Sequence, residues 1–215
     1  MNTLKLMAVV SAALFTSTTL ASDFTYDYVG LNYIKDDPGN DNRLNSDAFS
    51  LEFSKLITEN IYFKAEYARY SSSFEMNSDN SFYNTNADVD KFDLGAGYRH
   101  EVRSNIDWFI EGALTYTEHR VTLNSSDAGS GTFKRDHNGF YASTGLNIKL
   151  SPRIESRVIL SHVDDGEESS YIEYGIEGRF QLSKRLQATA GFITSSRGDR
   201  YRKTEHYQIG LNYTF

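Results

Sequence analysis

The sequence predicts an all-β protein: a closed antiparallel transmembrane β-barrel of ten strands, with short periplasmic turns and longer extracellular loops. Three observations lead to this prediction. Apolar residues recur at every second position, the connections alternate between short and long, and the chain begins with an export signal. Alternation with a period of two is typical of half-buried strands. Alternating turn and loop lengths are typical of outer-membrane barrels.

Residues 1–21 have the layout of a secretory signal peptide. The cation Lys5 precedes a mostly apolar stretch at 6–15, and the small residues Thr19 and Ala21 precede a cleavage point before Ser22. We therefore expect residues 22–215 to form the mature barrel domain. We also expect the chain to be exported through the inner membrane and to reside in the bacterial outer membrane.

Ten segments then alternate apolar and polar residues, and each is about as long as a tilted strand that crosses a bilayer. In order, they are centred on Val29–Tyr33, Phe49–Phe53, Ile61–Tyr67, Phe92–Tyr98, Trp108–Tyr116, Phe140–Ile148, Val158–Leu160, Tyr174–Phe180, Leu186–Phe192 and Tyr207–Phe215. The last segment shows the pattern most clearly, because all five of its odd positions are apolar.

The connections predict which end of the barrel is which. Four short turns share one pattern, in which an aliphatic residue lies on either side of three mostly polar residues; they are 57–61, 102–106, 150–154 and 182–186. Five long polar connections are predicted as loops at 36–46, 72–88, 118–136, 164–170 and 195–204. Both termini therefore lie on the short-turn side, which is the periplasmic side for an exported chain.

Composition excludes several other classes of protein. The chain has 15 Tyr, 14 Phe, 15 Gly and two Pro, which favours strands. It has no Cys, so disulfides, thiol catalysis and thiolate metal sites are excluded. A net charge of −7 argues against nucleic acid as a partner. No apolar stretch approaches the ~18 residues of a membrane-spanning helix.

The two faces of the predicted strands differ in chemistry. One face is apolar and ends in aromatic residues, as lipid and its interfaces require, whereas the opposite face is charged. A secreted β-sandwich would alternate in the same way, but it would place its apolar face inside. The predicted lumen charges are Glu52, Lys64, Glu66, Lys91, Asp93, Arg99, Asp107, Glu111, Lys149, Glu155, Arg157, Glu173, Glu177 and Arg179.

These lumen charges admit two interpretations. Eight acids and six bases nearly balance, which favours a salt-bridge lattice that fills a barrel only ten strands wide. Glycines on the lumen face, such as Gly97 and Gly145, are expected to leave space, which favours a narrow conducting pore. We expect Arg157 and Arg179 to be structural ties, with Glu155, Glu173 and Glu177 as partners.

The C-terminus resembles a known assembly signal. In the segment 208–215 the polar Gln208, Gly210, the aromatic Tyr213 and the terminal Phe215 match the β-signal that the outer-membrane assembly machinery reads. The whole mature chain resembles the small outer-membrane β-barrel proteins of Gram-negative bacteria, with the porin family among them. It is most similar to a ten-stranded branch once described as quorum-factor precursors, in segments 104–108 and 136–141.

The resemblance implies fold and location, and it implies little about activity. It implies a monomer whose partners are outer-membrane lipid, lipopolysaccharide and, during biogenesis, the assembly machinery. No cofactor or metal is implied. The role expected is structural in the envelope, or interaction at the cell surface; the alternative is a narrow passive channel for small solutes or ions.

An outer-rim hydrolase is a further alternative. Omptin proteases are ten-stranded barrels that use an Asp pair and an Asp–His pair, and this chain has Asp88 and Asp90 in one predicted loop region and His162 and Asp164 in another. The residue order differs from that of the omptins. Strand alternation also places His162 on the same face as the lipid-facing residues. No His is followed by Ser two residues later, as outer-membrane deacylases would need. We therefore expect no enzymatic activity.

The loops offer three weaker candidates. The cations Arg197, Arg200, Arg202 and Lys203 are possible lipopolysaccharide contacts, because Arg binds phosphate in a bidentate manner; salt bridges to loop acids are the alternative. The tripeptide 197–199 matches the integrin-binding sequence and also fits an ordinary turn. Acids in 36–42 are oxygen donors suited to calcium, but their spacing fits no ligand pattern.

Overall fold

The computed structural model describes residues 24–37, 46–78, 81–125, 129–166, 170–196 and 205–215. The expected signal peptide lies outside these ranges. The strands are β1 Tyr28–Asp37, β2 Ser46–Leu56, β3 Ile61–Ser78, β4 Ser81–Arg103, β5 Ile106–Ser125, β6 Gly129–Ser151, β7 Ile154–Asp164, β8 Ser170–Gln181, β9 Leu186–Ser196 and β10 Glu205–Thr214. No helix among the described residues is long and apolar enough to span a bilayer.

These strands form one closed barrel in which each strand is antiparallel to its two neighbours. The first and last strands complete the wall, with Leu31 of β1 directly opposite Leu211 of β10. Closure matters because lipid offers no hydrogen bonds to an unpaired strand edge. The predicted fold class, a ten-stranded antiparallel barrel, is confirmed.

Side chains alternate between the two faces of the wall. On β5, Leu114 on the outer face is 73% exposed, whereas Phe109 on the inner face is fully buried. The outer face carries most of the large exposed apolar side chains, and the buried charges lie inside. A soluble sandwich has the opposite arrangement, so this distribution of side chains excludes it.

Aromatic side chains form two bands on the outer face. On the loop side, Tyr67, Phe92 and Tyr116 are directly opposite one another on three adjacent strands. On the turn side, Phe53 stacks on Phe215 with ring centroids 6.1 Å apart. Aromatic residues are enriched where a membrane meets water, so the two bands delimit the belt of the barrel that is suited to lipid.

The wall is not uniform in height. The strands β3 to β6 have 18–23 residues, whereas the other six have 10–12. The prediction of polar loops at 72–88 and 118–136 is therefore wrong, because most of these residues extend the strands beyond the barrel. Their polar composition is misleading because an antiparallel hairpin in water needs no continuous apolar face.

We call this extension the outer sheet. It comprises residues 72–78, 81–87, 119–125 and 129–139. β2 pairs with β3 only as far as Ser71, and β7 pairs with β6 only from Phe140 onwards. Among the described residues, the outer sheet therefore has two edges that no other strand pairs, one on β3 at 72–78 and one on β6 at 129–137.

The polarity of the two faces reverses in the outer sheet. Arg120 and Lys134 are directly opposite one another on the outer face, where apolar residues lie lower down. Val121 and Phe133 are opposite one another on the face that continues the lumen, and Phe133 is 64% exposed. The reversal begins just beyond Tyr116, which places the outer sheet above the lipid belt.

Candidate functional site in the barrel lumen

The segment before β1 lies inside the turn side of the lumen. Residues 24–27 fold into the barrel, where Phe24 and Tyr26 are buried and form one apolar cluster with Leu56 and Tyr62. The rings of Tyr26 and Tyr62 have centroids 4.9 Å apart. We call these four side chains the floor.

Polar contacts from three strands hold Tyr26 in the floor. Its hydroxyl donates to Asp107 Oδ2 over 3.3 Å and accepts from Asn147 Nδ2 over 2.7 Å. Arg99 Nε lies 2.8 Å from the fully buried Asp107, and the guanidinium lies 5.3 Å from the centroid of the Tyr26 ring. Burial raises the pKa of the Tyr26 phenol well above its usual range, so the phenol remains a neutral donor.

The backbone of the same segment is tied to the wall. The Leu56 amide donates to Asp27 Oδ1 over 2.6 Å, and the Phe215 amide donates to the Asp27 carbonyl oxygen over 3.3 Å. Arg179 Nη1 donates to the carbonyl oxygen of Thr25 over 3.3 Å. The floor is therefore linked to β2, to β8 and to the C-terminus.

Above the floor, Glu111 joins three strands. Tyr62 Oη donates to its Oε2 and Arg157 Nη2 to its Oε1, each over 2.9 Å, and Lys64 Nζ lies 3.8 Å from Oε1. The sequence-based prediction of partners for Arg157 is therefore wrong in part. Its ion pair is with Glu111 of β5, which strand adjacency does not reveal, because side chains also meet across the lumen.

Three further ion pairs in the lumen join residues of the same strand or of adjacent strands. Lys64 lies 3.1 Å from Glu52, which also accepts from Tyr28 Oη over 2.7 Å. Arg179 lies 2.5 Å from Glu177, which is two residues earlier on β8. Lys91 lies 3.1 Å from Asp93, which also accepts from Thr115 Oγ1 over 2.7 Å.

Glycines on the lumen face do not leave open space, contrary to the expectation from sequence. A Cβ on Gly97 would lie 2.2 Å from Cζ of Tyr62. A Cβ on Gly145 would lie 1.9 Å from the Val158 carbonyl oxygen and 2.8 Å from Cζ of Phe109. The lumen aromatics therefore occupy the volume that these glycines provide.

A cavity of about 190 Å³, which we call the cup, lies on the loop side of the floor. Its lining includes six carboxylates, four Lys or Arg side chains, two tyrosines and His206. His206 Nδ1 lies 2.5 Å from Asp36 Oδ1, and the Ser46 hydroxyl donates to Asp36 Oδ2 over 2.9 Å. Packed aromatic side chains thus occupy the lumen on the turn side, and a polar cavity lies on the loop side.

The four residues that match the assembly signal also have contacts in the folded barrel. Gln208 Nε2 donates to Glu177 Oε2 in the cup over 2.8 Å. At Gly210 a Cβ would lie 2.0 Å from Asn32 Oδ1, so the closing strands need glycine there. Tyr213 accepts from Arg185 Nη1 over 3.1 Å, and Phe215 stacks on Phe53.

The omptin-type candidates do not meet. Asp88 and Asp90 lie on β4 and form ion pairs with Arg69, at 3.4 and 3.9 Å. His162 lies on β7, three strands away, with its ring 6.1 Å from that of Phe140. The candidate lipopolysaccharide contacts Arg197, Arg200, Arg202 and Lys203, the tripeptide 197–199 and most of the acidic first loop lie outside the described residues.

Comparison with solved structures supports the fold. The translocator domain of the autotransporter NalP from Neisseria meningitidis is 13% identical over 98% of this chain and 94% of its own, with a TM-score of 0.61. The transport unit of the autotransporter AIDA-I from Escherichia coli is 12% identical over 99% of this chain and 97% of its own, with a TM-score of 0.54. The NanC porin is 6% identical over 87% of this chain and 100% of its own, with a TM-score of 0.50.

No family model and no curated protein matches the chain. At these identities the structural matches establish architecture alone. The chain thus has the fold of the small outer-membrane β-barrels, as its resemblance predicts. Its particular features are the floor, the cup and the outer sheet.

Proposed function

We propose that this protein is a non-enzymatic outer-membrane barrel that does not conduct solutes and acts at the cell surface or in envelope structure. The observation that carries the proposal is the floor. Buried aromatic side chains of residues 24–27 occupy the turn side of the lumen, and their backbone is tied to the wall. Water and ions have no wide passage through such a packed aromatic cluster.

The outer sheet supports a surface role. Its two edges, which no described strand pairs, present backbone amides and carbonyls on the loop side, which is the extracellular side of an exported barrel. A free edge accepts an added strand from a partner, because main-chain hydrogen bonds supply affinity. Exposed charges on β6, such as Lys134, are typical of edges that avoid indiscriminate pairing.

Conductance in a planar bilayer tests the closed lumen. We expect the mature protein, 22–215, to give no steady single-channel current. Deletion of residues 22–27 should give a steady current, because this deletion removes Phe24 and Tyr26 from the floor. A large, well-defined conductance from the intact protein would reject the proposal and favour the channel alternative.

Trimming the outer sheet tests the surface role. A variant in which a short turn replaces 119–135 keeps the described barrel pairs below this segment. We expect cells that carry it to lose retention on protein-coated surfaces, relative to cells with the intact chain at equal outer-membrane level. Unchanged retention would leave envelope structure as the role.

Biogenesis completes the proposal. We infer that the assembly machinery recognises Gln208, Gly210, Tyr213 and Phe215, and that lipid and lipopolysaccharide surround the finished monomer. Phe215→Ala should lower the amount of heat-modifiable barrel in the outer membrane. Phe53→Ala removes the same ring stack from the other side, so it separates recognition of the terminus from loss of packing.

A further inference from the structure

The cup is a small cavity on the loop side of the floor. Its volume of about 190 Å³ is below the roughly 300–1,000 Å³ of sites for drug-sized ligands, so it suits only a compact ligand. The floor closes the cup on the turn side, so a ligand enters and leaves from the loop side. Polar and apolar side chains both line it, as small-molecule sites require.

The cations in the cup are already engaged. Lys64 is paired with Glu52 and Glu111, and Arg157 with Glu111. Arg179 is paired with Glu177 and Lys91 with Asp93. The cup therefore offers an anionic ligand no Lys or Arg side chain that lacks a carboxylate partner.

Two carboxylates in the cup have no such partner among the described residues. Within the described ranges, Glu66 and Glu173 line the cavity and form neither a hydrogen bond nor an ion pair. Glu66 lies in a row of three acids, directly opposite Glu52 on one side and Asp93 on the other. Lys64 and Lys91 are paired with these two neighbours, so Glu66 is the acid of the row that is left without an ion pair and can accept a cationic ligand.

Two phenol groups share the cavity with these carboxylates. Tyr70 and Tyr141 line the cup, and in the described part of the chain neither hydroxyl has a hydrogen-bond partner. Tyrosine rings attract organic cations through their faces, and the hydroxyls accept hydrogen bonds from ammonium groups. No group of three or more His, Asp or Glu among the described residues has the geometry of a metal site.

From these observations we propose that the cup binds a small aliphatic ammonium compound, with the ammonium group at Glu66 and with Tyr70 and Tyr141 lining the same cavity. A diamine of about six non-hydrogen atoms fits the volume, and Glu173 is the acceptor for its second ammonium group. This inference does not depend on whether the lumen conducts, because the cup lies above the floor.

Calorimetry on the folded, full mature chain in detergent tests the site. Putrescine, which has two ammonium groups and six non-hydrogen atoms, is the probe. 1,4-Butanediol has the same length without charge, and magnesium chloride supplies an inorganic dication. We expect putrescine to bind with one-to-one stoichiometry, and we expect binding of each comparator to be at least tenfold weaker.

Matched variants locate the ligand. Glu66→Gln and Glu173→Gln should each weaken putrescine binding at least tenfold, whereas Glu59→Gln, an exposed turn residue with the same change of charge, should leave it unchanged. Heat-modifiable electrophoretic mobility checks that each variant is folded. Equal weakening by Glu59→Gln, equal binding of magnesium, or no effect of Glu66→Gln would overturn the proposal.

Discussion

The floor and the cup use the same chemical groups, and they differ in how completely those groups are paired. In the floor region, Asp107 accepts from Tyr26 and Arg99 and is fully buried. In the cup, Glu66 has two carboxylates as cross-strand neighbours and no ion pair among the described residues. One end of the lumen is thus built for stability, and the other retains unused binding capacity.

The difference shows that the overall charge balance does not predict how the charges in a barrel lumen are paired. Eight acids against six bases suggest a nearly neutral lattice throughout, yet the unpaired acids lie on one side of Glu111. Whether the charged groups of a region have partners depends on which side chains meet across the lumen. Buried charge is most costly where it lacks a partner, so each region needs separate tests.

The largest effect is expected at Glu111, which lies between the two regions. Glu111→Ala leaves Arg157 and the Tyr62 hydroxyl without their shared acceptor. Removal of one partner of a buried ion pair costs about 3–5 kcal/mol. Urea unfolding in phospholipid vesicles measures the loss. A decrease of less than 1 kcal/mol in the free energy of unfolding would show that Glu111 is not the central tie.

The next effect tests how tightly the floor is packed. Gly97→Val places a side chain where the Tyr62 ring already lies, and overpacking costs typically 1–3 kcal/mol. Gly112→Ala on the outer face is the control, because its Cβ would meet only the Tyr141 carbonyl oxygen at 3.6 Å. Equal stability of the two variants would mean that the floor is not rigidly packed.

A smaller effect is expected when Tyr26 loses its hydroxyl. Tyr26→Phe keeps the ring in the floor and removes the hydrogen bonds to Asp107 and Asn147. A net loss of about 1 kcal/mol in the free energy of unfolding is expected for such bonds. Thermal unfolding, read by the loss of heat-modifiable mobility, also follows this change. A stabilised variant would contradict the tie between Tyr26 and Asp107.

The smallest effect is expected at Glu66. Glu66→Gln removes one of three neighbouring acids and breaks no ion pair with a described residue, so the free energy of unfolding should change by less than about 0.5 kcal/mol or increase. The same urea series measures this change. A loss comparable to that of Glu111→Ala would show that Glu66 is structural, and the contrast between cup and floor would then fail.

Strand alternation also predicts that substitutions on the lumen face are milder than those on the lipid face, and packing alters this expectation. Leu211→Arg places a cation on the lipid belt at a cost of about 2–4 kcal/mol. Asn212, on the lumen face, is buried, and its Oδ1 would lie 2.5 Å from a Cβ on Gly30. Asn212→Arg therefore has no free volume to occupy and should not be mild.

The sequence by itself determined the architecture. Alternation with a period of two fixes which side chains face inward, because successive residues of a strand point to opposite faces. The short aliphatic turns at 57–61 and 182–186 determine where strands end on the turn side of the barrel. The positions of Glu111, Arg157 and Glu177 on the lumen face follow from this alternation alone.

Only the tertiary structure decided how the lumen is filled. The floor depends on Phe24 and Tyr26, which lie before the first strand, and the Tyr26 hydroxyl bonds to Asp107 and Asn147, about 80 and 120 residues along the chain. The sequence did contain an indication of the floor, since Phe24 and Tyr26 alternate just before the first strand. Local periodicity carries no information on which side chains meet across a closed barrel, because those distances are set by curvature and stagger.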